Sequence, residues 1–281
     1  MSNLEWDVII ESKKNKFDLQ LKKLWKYRDL LFLLVRRDFV SFYKQTIFGP
    51  IWFFVQPIAS TITYVYIFNN LASLGTDGIP PPLFYLAGII SWNYFSDCLL
   101  KTSTVFRDNA NIFGKVYFPR LIMPLSIIIS NLIRFSVQFL LFLCILLFYY
   151  FKTGNVLFYY DIIFYPFLIL MMAAQGLGFG LIVTAFTTKY RDLVMLLSFA
   201  LQLMMYTTTV VYPLSTLKGN THTIVLLNPM TPIIECSRKL LLGQGEINFY
   251  SFSYSIIVTI IVLFIGLLTF NHSQKNFVDT I

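Results

Sequence analysis

Polar residues recur along one side of a stretch that is otherwise apolar enough to dissolve in lipid. After the break at Gly49-Pro50 the chain reads IWFFVQPIASTITYVYIFNN, with Gln56, Ser60, Thr63 and Asn70 spaced by four, three and seven residues. That spacing puts them near one face of an α-helix. A span that only sits in lipid has no use for such a face. Either it lines a wet passage, or it hydrogen-bonds to neighbouring helices as membrane bundles commonly do. Trp52, at the entry to the stretch, is grouped with it as a candidate lining residue.

The rest of the chain is of the same kind. Of its 281 residues 57% are hydrophobic and 13% are charged, against roughly 25% charged in soluble domains. Span-length apolar runs continue to the C-terminus at about 51–68, 83–100, 121–151, 162–186, 193–211 and 252–270. The expected fold is all-α and membrane-integral, a single domain over 1–281 with six transmembrane helices. An N-terminal segment, 1–45, precedes the 51–270 bundle, and 271–281 forms a tail. The first residues lack the apolar core and cleavage site of a secretory signal.

Within 17–44, Leu24, Tyr27, Leu31, Val35, Phe39 and Phe42 step by three or four, with Lys26, Arg36 and Arg37 off that stripe. This predicts an amphipathic helix on the anionic, cytoplasmic leaflet. Most Lys and Arg fall on that same side if the N-terminus is inside: the N-terminal segment, then Lys101, Arg107, Lys115 and Arg120, then Lys189, Arg191 and Lys275. The other side holds Lys152, Lys218, Arg238 and Lys239. The positive-inside rule places both termini in the cytoplasm. On the outer side, 212–251 is too apolar for a solvated loop and is broken by Pro229 and Pro232. A re-entrant or interfacial pair of short helices is expected there.

Further polar groups extend the candidate passage. Ser198, Gln202, Tyr206, Thr209 and Tyr212 step by four, four, three and three in the fifth span, and Trp92, Asn93 and Ser96 lie in the second. Asp97 and Arg134 lie at or near membrane depth, and a structural pair or snorkelling accounts for them. Gly176 and Gly180, within GLGFG, match the close-packing motif of membrane helices.

Several chemistries are excluded. There is no GxxxxGK[ST], so no phosphate loop. Cys98, Cys144 and Cys236 are scattered, and His222 and His272 have no ligand-like neighbours, so no metal site is expected. No catalytic residues are assigned, because an intramembrane enzyme needs clustered acid, base or nucleophile groups, and Asp161, His222, Glu235 and Glu246 are dispersed. A lone ion-coupled transporter needs internal repeats and several charges within its spans.

Four stretches, in order, carry a resemblance: YKQTIFGPIWFFVQP, DNANIFGKVYFPRLIMPLS, KYRDL, and YPLSTL followed by LLNPMTPIIECSR. Together they resemble the permease subunit of bacterial ABC exporters of cell-surface polysaccharide, the O-antigen, capsule and teichoic-acid group, and most closely the O-antigen branch. The resemblance implies a homodimer in the inner membrane that passes a lipid-linked polysaccharide. It also implies a separate ABC ATPase subunit holding ATP and magnesium, with no cofactor in this chain and no nucleic-acid partner. Asn109, Asn111, Ile112 and Phe113 would form the coupling helix, with Tyr190 and Arg191 nearby. Asn228, Pro229 and Pro232 would belong to a periplasmic gate. An ABC permease for a drug or small lipid is the nearest alternative.

Overall fold

A computed structural model describes residues 21–44, 49–113, 118–153, 160–187, 189–190, 192–245 and 248–276, and these are helical almost throughout. Helices α1 (Leu21–Lys26) and α2 (Arg28–Tyr43) lead to a one-turn 3₁₀ segment at Gly49–Ile51. Gly49 has φ +51, a left-handed conformation that other residues adopt at a cost, and it lets the chain turn into Pro50. Then come α3 (Trp52–Tyr64), α4 (Pro81–Ser103), the short α5 (Val105–Asp108) and α6 (Ala110–Phe113), α7 (Ile122–Thr153) and α8 (Tyr165–Thr187). The chain closes with α9 (Leu193–Tyr206), α10 (Asn220–Leu227), α11 (Met230–Leu242) and α12 (Phe249–Asn276).

Five apolar helices have span length: Gly49–Leu71, Pro81–Ser103, Ile122–Lys152, Ile162–Thr187 and Phe249–Ser273. The expected span at 193–211 appears as α9, which stops at Tyr206. The first span contains Pro57 and continues past Tyr64 as a π-helix, Val65–Leu71. Proline removes one backbone donor from the helix, and π-turns often mark functional helices.

The core is organised around α4, which packs against α3, α7, α8, α9 and α11. Its closest neighbour is α8, and glycines set the distance. A Cβ on Gly176 would stand 2.7 Å from Cys98 Cβ, and one on Gly180 would stand 2.6 Å from Thr102 Cβ. Gly178 faces the other way, where a Cβ would meet the Leu263 backbone at 2.8 Å, and Gly266 of α12 meets Gly178 in turn. The GLGFG run therefore serves two helix contacts at once, as expected of small residues in membrane bundles. Hydroxyls reinforce it. Thr184 Oγ1 donates to the Thr102 carbonyl (2.8 Å) and Thr187 Oγ1 to the Ser103 carbonyl (2.5 Å), which satisfies the last carbonyls of α4. Across α12, the Gln175 amide donates to Thr259 Oγ1 at 2.8 Å.

Gly178→Leu should therefore lower stability by about 1–3 kcal/mol through overpacking, while Gly75→Ala, with nothing near its Cβ position, should be close to neutral. Thermal unfolding of the two purified variants in detergent checks the contrast.

Candidate functional site

The polar face of α3 does not enter the bundle. Phe53, Pro57 and Thr61 are the buried residues of the helix. Gln56 and Thr63 are exposed, Ser60 is half-buried, and Trp52 is 45% exposed. The Thr63 hydroxyl turns back to the Ala59 carbonyl at 2.9 Å. Helix α9 repeats the arrangement: Leu201 is buried, while Ser198, Gln202 and Tyr206 are exposed. The two helices meet where the Tyr64 hydroxyl contacts Met205 Sδ at 3.7 Å. Tyr206 also reaches Tyr64 at this meeting point, whereas Gln56 and Gln202 are exposed, and packing among the described residues does not explain those two amides.

Other expected lining residues lie elsewhere. Trp92 is 3% exposed and packs against Phe95. Ser96 is half-buried, with its hydroxyl on the Asn93 carbonyl. Both belong to α4, whose neighbours cover it on nearly every side, so their polar groups are core groups. Thr209 is fully buried beside Glu235, and Tyr212 is half-buried, its hydroxyl donating to the Tyr206 carbonyl at 2.9 Å. The helical period that appeared to align both with Gln202 ends at Tyr206, so the alignment is lost. Ile58, on the opposite side of the period from the polar positions, is exposed too.

At the end of the bundle bearing α5 and α6, Phe113 points inward. Its ring lies 5.4 Å from Phe106 and 5.6 Å from Phe118, and Phe106 stacks on Phe270 at 5.0 Å. Ile112 packs partly against the same cluster. The outward groups of this segment are Arg107, Asp108 and Asn111. Asn109 is half-buried; its side chain donates to the Val105 carbonyl and accepts from Arg37 Nη2 at 3.2 Å, which ties the segment to α2. Tyr190 is exposed, with Lys189 over its ring; Arg191 lies outside the described residues. The N-terminal stripe faces the protein. Leu24, Tyr27, Leu30 and Leu31 pack on this cluster and Leu34 joins it, whereas Trp25, Phe32 and Leu33 are exposed.

Arg134 pairs with Asp97 at 2.8 Å, linking α7 to α4, so pairing accounts for these two charges. A second pair escaped the sequence reading. Arg238 is 1% exposed. Its Nη1 donates to Glu235 Oε1 at 3.1 Å and its Nη2 to the Val210 carbonyl at 3.2 Å, and the guanidinium sits 3.6 Å above the Phe84 ring. Gly88 leaves the space, since a Cβ there would stand 3.0 Å from Arg238 Nη2. Burial pushes the Glu235 carboxyl above its ordinary range, with Arg238 pulling against it. The signal available in sequence was the i, i+3 spacing in ECSR, between the apolar runs PII and LLL of the same helix.

The broken segment at 212–251 is a pair of short helices, α10 and α11, as expected. Asn228 Oδ1 accepts the Met230 N–H at 3.1 Å, the Pro229 carbonyl accepts the Ser255 hydroxyl at 2.7 Å, and Pro232 is buried. These contacts fix the joint between the two helices against α12.

Residues 29–242 match the family model of the ABC-2 type transporter. The chain belongs to that membrane-transporter family. It is 27% identical over 217 residues to the O-antigen export system permease protein RfbA of Myxococcus xanthus, covering 76% of this chain and 80% of that one. A Klebsiella pneumoniae protein of the same name is 25% identical over 254 residues, covering 89% and 94%. The polysialic acid transport protein KpsM of Escherichia coli is 22% identical over 230 residues, covering 81% and 86%. The long apolar helices agree with a multi-pass membrane subunit of a transporter.

Two outcomes follow from this geometry. Glu235→Gln strands a buried guanidinium and should cost about 3–5 kcal/mol, whereas Glu235→Leu with Arg238→Met should recover most of it; unfolding midpoints of the single and double variants check this. Phe113→Ala removes a ring from the aromatic stack and should lower the stability of the isolated chain, toward the low end of about 3–5 kcal/mol because the ring is half-exposed. A pure docking residue would leave the isolated chain unchanged.

Proposed function

We propose that two copies of this chain enclose a passage for a lipid-linked polysaccharide, an O-antigen above all, across the bacterial inner membrane. One observation carries the reading: the polar faces of α3 and α9 lie on the outside of the chain's own bundle. Facing hydrocarbon, Gln56 and Gln202 would forgo hydrogen bonds at a cost of roughly 1–3 kcal/mol each. Facing a passage between protomers, they stay wet. The relatives' names, O-antigen export and polysialic acid transport, supply the class of cargo.

In this reading α9 is the sixth crossing. Its 14 residues span about 21 Å of a roughly 30 Å hydrocarbon core. The remainder is the turn through Thr208, Thr209, Val210 and Val211, all buried, and non-helical backbone at membrane depth is tolerated where protein covers it. Both termini are cytoplasmic, α1 and α2 form the inner gate, and α10 with α11 forms the re-entrant outer gate. A separate ATPase subunit binds ATP and magnesium and docks on the outward groups of the α5–α6 segment, Arg107, Asp108 and Asn111, with Tyr190 beside it. Hydrolysis there drives transport, and this chain carries no chemistry of its own.

Thiol labelling tests the passage. In a Cys144→Ser background, because Cys144 is itself exposed, cysteines at Gln56, Ser60 and Gln202 should react with a small water-soluble reagent in membranes, and their rates should change when ATP is added to the complex. Cysteines at Phe53 and Leu201, which are buried, should stay silent. Ser60→Trp should abolish surface polysaccharide while the complex still assembles. Uniform protection of the polar faces in every nucleotide state refutes the passage.

A further inference from the structure

A cavity of about 540 Å³ opens where α2, the start of α3, the end of α4, the α5–α6 segment and α7 come together. Its size is within the roughly 300–1,000 Å³ range of small-molecule sites. It is separate from the polar faces described above, since neither Gln56, Ser60 and Thr63 nor Gln202 and Tyr206 line it.

Its walls combine three chemistries. Cations from three helices reach it, Arg37 of α2, Lys101 of α4 and Arg134 of α7, each held in place by a neighbour. Arg37 bonds Asp38 at 2.7 Å, Lys101 bonds Asn131 Oδ1 at 3.0 Å, and Arg134 bonds Asp97 at 2.8 Å. Groups of mixed donor and acceptor character come next: the amides of Asn109, Asn111 and Asn131 and the hydroxyls of Ser41 and Ser130. The Ser130 hydroxyl is buried and has no hydrogen-bond partner among the described residues, a state that normally costs free energy unless a ligand or water fills it. The rings of Phe39 and Phe53 stack at a centroid distance of 6.1 Å and close one side.

A bare anion would leave the rings, the amide oxygens and the Asp38 and Asp108 carboxylates on the same walls without a role, since these accept hydrogen bonds or pack on apolar faces. A neutral sugar has no use for three convergent cations. Both sets are used by a phosphate joined to a sugar. Charge-assisted bonds from guanidinium and ammonium groups suit the phosphate. Amides, carboxylates and hydroxyls suit sugar hydroxyls, which donate and accept, and an apolar ring suits a sugar's C–H face. We infer that this cavity binds the phosphate–sugar junction of the exported glycan, with the phosphate at Arg37, Lys101 and Arg134 and the first sugar at Asn111 and Ser130. The inference rests on the export reading and adds where the cargo is recognised before it enters the passage. Arg37 also bonds Asn109, so occupancy bears directly on the segment proposed to meet the ATPase.

Binding to the permease–ATPase complex in nanodiscs tests it with three probes: a polyprenyl diphosphate carrying one N-acetylhexosamine, the same polyprenyl diphosphate without sugar, and soluble N-acetylhexosamine 1-phosphate. The sugar-bearing lipid should bind tightest. The soluble sugar phosphate should compete at higher concentration, which shows the shared chemistry, and the sugar-free lipid should bind at least tenfold more weakly. Ser130→Trp, which fills the cavity, and Arg37→Gln, on a partly exposed side chain that keeps the variant foldable, should each weaken the sugar-bearing probe at least tenfold. Equal affinity for the two lipids, or unchanged binding in Arg37→Gln, overturns the assignment, and the passage is then judged on its own by the labelling of α3 and α9. Normal surface polysaccharide in cells lacking this chain overturns the export reading, and this inference with it.

Discussion

In a bilayer, apolar side chains gain little by leaving lipid for one another, so helices associate only as far as close packing and hydrogen bonds draw them together. This chain meets that constraint at α8. Gly176 and Gly180 bring its backbone against α4, and Gly178 brings it against Gly266 of α12. Where backbones approach so closely, short hydroxyl groups can cross between helices. Thr184 and Thr187 reach the final carbonyls of α4, and Gln175 reaches α12. The order of the bundle around α4 follows from this three-helix seam, because α4, once fixed on one side, offers its remaining sides to α3, α7, α9 and α11.

Two arginines then fasten the opposite ends of α4. Near its start, the Arg238–Glu235 pair seats α11 over Phe84 and holds the Val210 carbonyl in the turn after α9. Near its end, Asp97 takes Arg134 of α7, and that guanidinium also lies over Phe53 of α3 at 5.6 Å. Buried pairs are poor sources of net stability, because desolvation offsets most of the attraction. They do penalise any arrangement that leaves a charge without its surroundings. The Arg134–Asp97 pair joins two helices directly, whereas Arg238, already paired within α11, sets the short helices through the Val210 carbonyl and the Phe84 ring.

Most of the fold was legible because hydropathy and helical period are strong signals in lipid. The spans at 83–100 and 162–186 lie within the observed helices, 121–151 overhangs its helix by one residue, and the glycine run does what its spacing implied. Placement was harder to read, for one cause. Period alone tells which residues share a face, but not whether the helix persists or what covers it. Thr209 and Tyr212 fit the α9 period on paper, yet the helix ends at Tyr206. Trp92 and Ser96 are polar-edged groups on a helix whose neighbours cover nearly every side. Phe113 belongs to the stretch that the resemblance makes a coupling helix, and its ring packs on Phe106 and Phe118, a contact that the short stretch alone does not reveal. Arg238 was counted with the outer-loop charges because its cover comes from α4 and from the turn after α9, both remote in sequence.

The polar face of α3 carries the argument past the single chain. Within the bundle, the large polar side chains find polar partners: Gln175 bonds Thr259, Lys101 bonds Asn131 and Arg238 bonds Glu235. The amides of Gln56 and Gln202 have no such match among the described residues and are exposed on the outside of the bundle, where a polar or wet surface would satisfy them. Pro57 and the π-turn at Val65–Leu71 lie on the same helix, and both weaken the i to i−4 ladder that keeps a helix rigid. An outward polar face on a helix built to bend is what a movable wall of a passage requires. A helix selected only for packing would have kept its backbone bonds and buried its amides.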